Sequence, residues 1–151
     1  MNEGFTLNVM FSNDYIVGLV DGEGSFTVYI KNPDDKTKRS RRVQAEPKFF
    51  LKLVEKDKYI LDQLKEFFGC GNVYFQKDNR KNHQHCYRYE VGNREDLEKI
   101  IIPFFKINCL KFPSKKKDFE IFCDLFSRIR NGEHLFESGL KNLFQLKQKM
   151  H

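Results

Sequence analysis

Asp21 and Glu23 stand on either side of Gly22 near the end of YIVGLVDGEGSF, residues 15–26. Carboxylates are unfavourable at the negative end of a helix dipole, and two glycines weaken a last helical turn. Ending a helix takes only one glycine and a lysine or arginine. The acidic end therefore reads as a place where a divalent cation and a phosphate supply the missing positive charge and its counterpart. A helix cap leading into an edge strand is the competing reading. Far along the chain, CLKFPSKKK, with Lys111 and Lys115, reads as a polar, Lys-rich crossing.

Two further stretches are rich in groups that contact nucleic acids. Residues 31–48 carry Lys31, Lys36, Lys38, Arg39, Arg41, Arg42, Gln44 and Lys48 against Asp34, Asp35 and Glu46. Residues 76–88 carry Gln76, Lys77, Arg80, Lys81, His83, His85 and Arg88. Such side chains contact phosphates and base edges; two solvated hairpins are the plain alternative. A two-stranded ribbon fits a major groove, so their placement on hairpins carries more than their charge.

The elements that must position these groups follow from periodicity. Ser12, Asn13 or Asp14 caps a helix whose apolar face is Ile16, Leu19 and Val20, while Gly18 admits a close neighbour. SFTVYI and VQAEPKFFLKLV read as strands around a polar loop, with Pro47 marking an edge or bulge. Asp57 to Phe68 is a helix with Tyr59, Ile60, Leu64, Phe67 and Phe68 on its apolar side, stopped by Gly69 and Gly71. NVYFQKD and HCYRYEVG form a second hairpin. Further helices are expected from about Arg94 to Phe105, at about 117–130 and at about 138–149. The fold class is α+β: a mixed four-stranded, saddle-like sheet with helices on one face, in the order αββαββα. Residues 1–151 are expected to form a single domain, with residues 1–12 as an N-terminal arm.

The 151 residues are 40% apolar, with 16 Phe and no Trp, which suits a packed core. The 27 Lys and Arg against 21 Asp and Glu leave a charge of +6, which favours polyanionic partners. Cys70, Cys86, Cys109 and Cys123 form no CxxC pair and read as buried thiols of a reducing compartment. The HQHC stretch at 83–86 has nothing nearby to complete a tetrahedral metal set. No apolar run reaches membrane-spanning length, so the chain is read as soluble, with no membrane partner.

Residues 16–24, IVGLVDGEG, resemble the signature of the LAGLIDADG homing endonucleases. Ile and Val replace the opening Leu-Ala, and Gly22-Glu23 replaces Ala-Asp. The following SF, FFLKLVEKD at 49–57, LDQLKEFFGCGNVY at 61–74 and KKKDFEIF at 115–122 are also similar to family features, in the family's order. The resemblance spans roughly residues 12–130.

That resemblance implies a single-motif protein acting as a homodimer, with Ile16, Gly18, Leu19, Asp21 and Gly22 at the interface where two motif helices cross. It implies that Glu23, with Gly22, holds Mg²⁺, for which Mn²⁺ can substitute, between the scissile phosphates. Asp21 is implied to terminate the helix by hydrogen bonding. Lys115, or Lys111 in another alignment, is implied to be the supporting basic residue. The polar residue that positions water in some relatives falls here at about Leu53, with Lys52 and Glu55 as substitutes in another register. The implied function is a double-strand cut with short 3′ overhangs in a long pseudo-palindromic intron-homing site on double-stranded DNA. The implied origin is an intron-encoded gene of a chloroplast or mitochondrion. An RNA-binding intron maturase, with intron RNA as partner, and a DNA-binding relative that has lost cleavage are the alternatives.

Overall fold

The computed structural model of the chain describes residues 11–35 and 43–151. Residues 1–10 of the expected arm at 1–12, and Lys36, Lys38, Arg39, Arg41 and Arg42, lie outside the described residues. Helix α1 spans Asn13–Glu23, and the Ser12 hydroxyl caps it by accepting the Tyr15 N–H at 3.1 Å. Its inward side is Ile16, Val17, Val20 and Asp21. Strand β1 begins at the next residue and runs Gly24–Ile30.

No loop residue separates helix from strand, and the residue type at the junction makes that possible. The Gly24 N–H bonds back to the Val20 carbonyl. A Cβ at Gly24 would sit 2.6 Å from Val20 Cγ1 and 2.9 Å from the Val20 carbonyl oxygen. Only glycine allows the chain to turn this closely against its own last helical turn.

Strand β2 spans Ala45–Val54, helix α2 Lys58–Phe68, β3 Asn72–Gln76 and β4 Cys86–Val91. The sheet order is β1-β2-β4-β3, and every pairing is antiparallel. The expected mixed sheet is therefore corrected to an antiparallel one. The reason is topological: after α2 the chain enters the far edge as β3, and the hairpin return places β4, of opposite sense, beside β2. Pro47 lies within β2, where β1 pairs with it at Val28, but pairing with β4 starts only at Phe49↔Val91. Its missing N–H thus falls at a locally unpaired edge.

One face of the sheet is covered by helices. Phe26, Phe49, Phe105, Phe119 and Phe122 pack there, with ring centroids of Phe26 at 5.0 Å from Phe49 and 5.5 Å, edge-on, from Phe105. The buried side of α2 is Leu61, Leu64 and Phe68, whereas Tyr59 and Phe67 are exposed, so the helix is rotated from the expected face. Gly71, at φ +88, closes the turn after α2; a Cβ there would meet the Tyr89 ring at 2.6 Å. The helical stretch after β4 runs as α3 (Arg94–Asp96), a π turn (Leu97–Ile101) and α4 (Ile102–Ile107). Pro103 explains the wide turn, since it cannot donate to the fourth carbonyl before it and its ring needs room.

Helix α5 spans Pro113–Arg130, about four residues longer at its start than expected, because Pro113 takes the first helical position, where the missing N–H has no helical partner to lose. Helix α6 spans Glu137–Lys147. Among the described residues, no helix is long and apolar enough to cross a membrane. Of the four cysteines, all unpaired, Cys109 is exposed and the others are half-buried, not fully buried as expected.

The junction makes a direct prediction. Gly24→Ala is expected to cost about 1–3 kcal/mol through overpacking against Val20, lowering the denaturation midpoint in a urea titration; an unchanged midpoint would mean that the junction relaxes freely.

Candidate functional site

The two carboxylates of the motif part company in space. Asp21 points inward and is 5% exposed. Its Oδ1 and Oδ2 accept the Lys111 N–H at 3.1 and 3.0 Å, and Oδ1 accepts the Phe112 N–H at 3.1 Å. These amides immediately precede α5, whose N-cap residue, Phe112, has no side-chain cap of its own. A carboxylate from α1 thus does the capping of α5, and the positive end of the α5 dipole offsets its unfavourable place at the end of α1. Being enclosed within the protomer, Asp21 is corrected from an interface residue to an internal anchor, and Ile16, 0% exposed, is likewise part of the protomer core.

Glu23 is exposed, as is Gly22. Lys115, one turn into α5, donates from Nζ to the carbonyl of Gly24, the residue after Glu23. The structure therefore brings Glu23 and the Lys115 ammonium to the same junction, at the edge of the sheet. Lys111 reaches this place through its backbone, while its side chain is exposed. Beside Lys115 opens a cleft of about 350 Å³, lined by Ser25, Thr27 and Phe50 from the sheet and by Asp118, Lys147 and His151 from the helical side. His151 donates its backbone N–H to Asp118 Oδ1 at 3.0 Å, with its ring nitrogen 3.3 Å away. Burial pulls the Lys147 ammonium below its ordinary pKa. Asp118, Lys147 and His151 were not singled out from the sequence; only the three-residue spacing of Asp118 from Lys115 pointed to the first.

The face of the sheet away from the helices carries Ser25, Thr27 and Tyr29 on β1, Glu46, Lys48, Phe50 and Lys52 on β2, Arg88 and Glu90 on β4, and Asn72, Tyr74 and Gln76 on β3. Lys31 and Gln44 continue it, joined by the Lys31 N–H to the Gln44 carbonyl at 2.8 Å. Leu53 lies on the opposite face, packed against the core, so no polar group occupies that position, whereas Lys52 is exposed on the open face.

The β3–β4 turn is organised by a residue the sequence reading passed over. Asp78 accepts from Arg80 Nε at 3.0 Å and Nη2 at 2.7 Å, while its own backbone N–H donates to His85 Nδ1 at 3.0 Å. The Arg80 guanidinium holds the Asp78 carboxyl well below the usual carboxylate range. His83 Nδ1 lies 3.7 Å from Asp78 Oδ2. Of the basic groups expected on this hairpin, Lys77 and Lys81 are exposed, Arg80, His83 and His85 gather on Asp78, and Gln76 Oε1 is buried with no hydrogen-bond partner.

On the outer side of α1, Tyr15 is 49% exposed and stacked on Phe11 at 4.7 Å, and added Cβ atoms at Gly18 and Gly22 would meet nothing within 4 Å. Leu19 is half-buried beside this open strip.

The anchor is testable separately from any activity. Asp21→Asn keeps the shape but turns an amide group towards two backbone donors, and a loss of about 1–3 kcal/mol is expected. Thermal unfolding should then begin roughly 3–10 °C lower, with α5 amides losing hydrogen-exchange protection first. Equal protection throughout α5 in the native protein and the variant would show that Asp21 does not hold it.

The described family of LAGLIDADG endonucleases matches residues 16–126. The probable intron-encoded DNA endonuclease 1 of Mycosarcoma maydis is 34% identical over 110 residues, which are 73% of this chain and 35% of that protein. The homing endonuclease I-ApeII of Aeropyrum pernix is 32% identical over 111 residues, 74% of this chain and 60% of that one. This chain thus spans less than two thirds of either relative. Among solved structures, I-TnaI superposes with a TM-score of 0.76 at 33% identity, covering 95% of this chain and 90% of that chain. I-SmaMI bound to uncleaveable DNA gives 0.79 at 30% identity, over 95% of this chain and 45% of that one. A match running from the first residue of the motif in α1 well into α5, on the same antiparallel sheet, leaves one conclusion: the chain belongs to the LAGLIDADG endonuclease family.

Proposed function

We propose that the protein is a site-specific, Mg²⁺-dependent DNA endonuclease that acts as a homodimer, with residues 1–151 as one functional unit. The observation that carries this reading is that the Lys115 ammonium is tied to the carbonyl of Gly24, the residue after exposed Glu23, beside an uncovered sheet face. Double-stranded DNA lies along that face, with Lys31, Gln44, Lys48, Gln76, Lys77, Lys81 and Arg88 towards it. The I-SmaMI and I-GzeII relatives, solved with DNA, support this choice of partner.

The donor set suits a hard cation shared with substrate. Among the described residues no three His, Cys, Asp or Glu side chains gather as a metal cluster. Mg²⁺ is commonly held by one or two carboxylates together with phosphate oxygens, and Glu23 from each protomer, with the Gly22 carbonyl, meets that requirement. When bound, the cation supplies Lewis-acid polarisation of the phosphodiester and a more acidic water. Lys115 stabilises charge developing on the phosphate. The tie to the Gly24 carbonyl holds the ammonium at the junction that carries Glu23 before substrate arrives, so little reorganisation is needed.

Dimerisation uses the outer side of α1. Tyr15, Gly18, Leu19 and Gly22 form a strip shallow enough for a second α1 to approach closely, which brings two Glu23 side chains to one axis. Short 3′ overhangs and a nearly palindromic site follow from that symmetry and from the family. Relatives named as probable intron-encoded endonucleases, and an uncharacterized protein in ND4 intron 1 of Podospora anserina, support an intron-encoded gene of a mitochondrion or chloroplast.

Selection from a randomised duplex library, followed by incubation of the selected site with the native protein, tests the whole reading. Double-strand cleavage is expected with Mg²⁺ or Mn²⁺ and its loss with EDTA, by a species sedimenting at about twice the 18.1 kDa protomer. Gly18→Leu should yield a monomer that neither cuts nor loses thermal stability. Absence of cleavage on the selected site, with tight binding to structured intron RNA, would transfer the function to RNA binding.

A further inference from the structure

The centre of the open sheet face carries an ordered chain of charges that attraction to phosphate does not explain. Arg88 on β4 lies over Phe50 on β2, its guanidinium carbon 3.5 Å from the ring centroid. The same guanidinium donates from Nε to Glu90 Oε1 at 3.0 Å. Glu90 Oε2 lies 3.4 Å from Lys48 Nζ, which in turn is 3.6 Å from Glu46 Oε1. The ladder places these groups together: Phe50 faces Glu90 and Lys52 faces Arg88 across β2 and β4, the two central strands.

A carboxylate repels phosphate, so a face that served only to attract the DNA backbone would have no use for Glu46 and Glu90. Their presence means that Lys48 and Arg88 are largely neutralised before any partner arrives, which is a poor design for counterion release. It is a good design for reading bases. A free arginine samples many rotamers, and its planar fork must be ordered before it can recognise anything. Here the Phe50 ring fixes the plane of the guanidinium and Glu90 fixes its rotation through Nε. The Nη groups form the remaining edge of the fork, and that edge matches the O6 and N7 acceptors of guanine in a major groove.

We infer that Arg88 is a specificity-determining residue that reads a guanine in each half of the DNA site, and that Glu90 and Phe50 are the positioning residues that make it selective. This rests on the reading of the sheet as a DNA-binding face. An ion pair of purely structural purpose would add little at a partly exposed site and would favour no base. The Glu90 side chain is 18% exposed and Arg88 22%, so both are held firmly without being sealed from a groove.

The test uses the intact protein and the duplex selected from a randomised library, with three partners differing at one base pair. For the native protein, replacing the Arg88-dependent G·C pair in one half-site should weaken binding roughly 10- to 100-fold. Arg88→Lys keeps the charge but loses the fork, and should reduce that discrimination to about threefold or less. Glu90→Gln retains Arg88 and should reduce discrimination at the same base pair and at no other, while the charge it frees on Arg88 and Lys48 steepens the salt dependence of binding. Substituting 7-deazaguanine at that position removes the N7 acceptor without altering the protein, so it decides the matter even if a variant folds poorly. It should weaken the native protein about tenfold and leave Arg88→Lys nearly unaffected.

A uniform loss over all four duplexes with Arg88→Lys would overturn the inference, as would a dependent pair other than G·C, unchanged discrimination with Glu90→Gln, or indifference of the native protein to 7-deazaguanine. Those results leave cleavage of the selected site intact and so spare the endonuclease reading. Failure of the native protein to select any duplex removes both together.

Discussion

The Asp21 carboxylate, closed off from solvent and accepting the Lys111 and Phe112 amides, is the interaction on which the rest of this structure depends. It joins two elements that lie 90 residues apart in sequence. On the α1 side it is two residues before Glu23; on the α5 side its partners are three and four residues before Lys115. A single buried acceptor therefore fixes the segment that carries Glu23 against the segment that carries Lys115. Unpaired, the carboxylate would be costly. Paired with the Lys111 and Phe112 amides just before α5, it is satisfied by two backbone donors at the positive end of that helix.

The same junction separates the two tasks of the sheet. Because α1 passes into β1 without a loop, strand alternation is in register with the motif: Phe26, Val28 and Ile30 turn to the helices, and Ser25, Thr27 and Tyr29 turn to the open face. Aromatic packing fills the first side. The second carries a polar lattice in which acids and bases are matched inside the sheet, while exposed lysines such as Lys77 and Lys81 lie in the hairpin turn. The paired charges thus sit at the centre of the open face, and the exposed lysines sit at its margin.

Local signals made much of this legible in advance. The helix ending in DGEG, the polar cap at Ser12, the strand alternation of SFTVYI and the second hairpin all depend on residues close in sequence, and the structure has them where periodicity put them. What depended on contacts between distant segments was less accessible. The start of α5 was placed about four residues late because PSKKK is polar and looks like a connection, although Pro113 suits a first helical turn. The sense of the sheet depended on which edge β3 joined, a matter of topology and not of composition. Asp78 looked like one more polar residue in a turn until its partners, Arg80 and His85, were seen around it. Glu46 counts against the basic stretch when read in sequence and Glu90 draws no notice there, although their alternation with Lys48 and Arg88 places all four on one side.

The central claim is that Glu23 acts where the buried neighbour Asp21 places it, as the charge that holds the cation at the junction. Cleavage of the selected duplex by the native protein and by Glu23→Gln, measured alongside binding, tests it most directly. The account predicts that the variant unfolds at the native temperature, binds the duplex within about threefold of the native affinity and loses at least about 100-fold in Mg²⁺-dependent double-strand cleavage. Cleavage by Glu23→Gln at a rate near that of the native protein would contradict it.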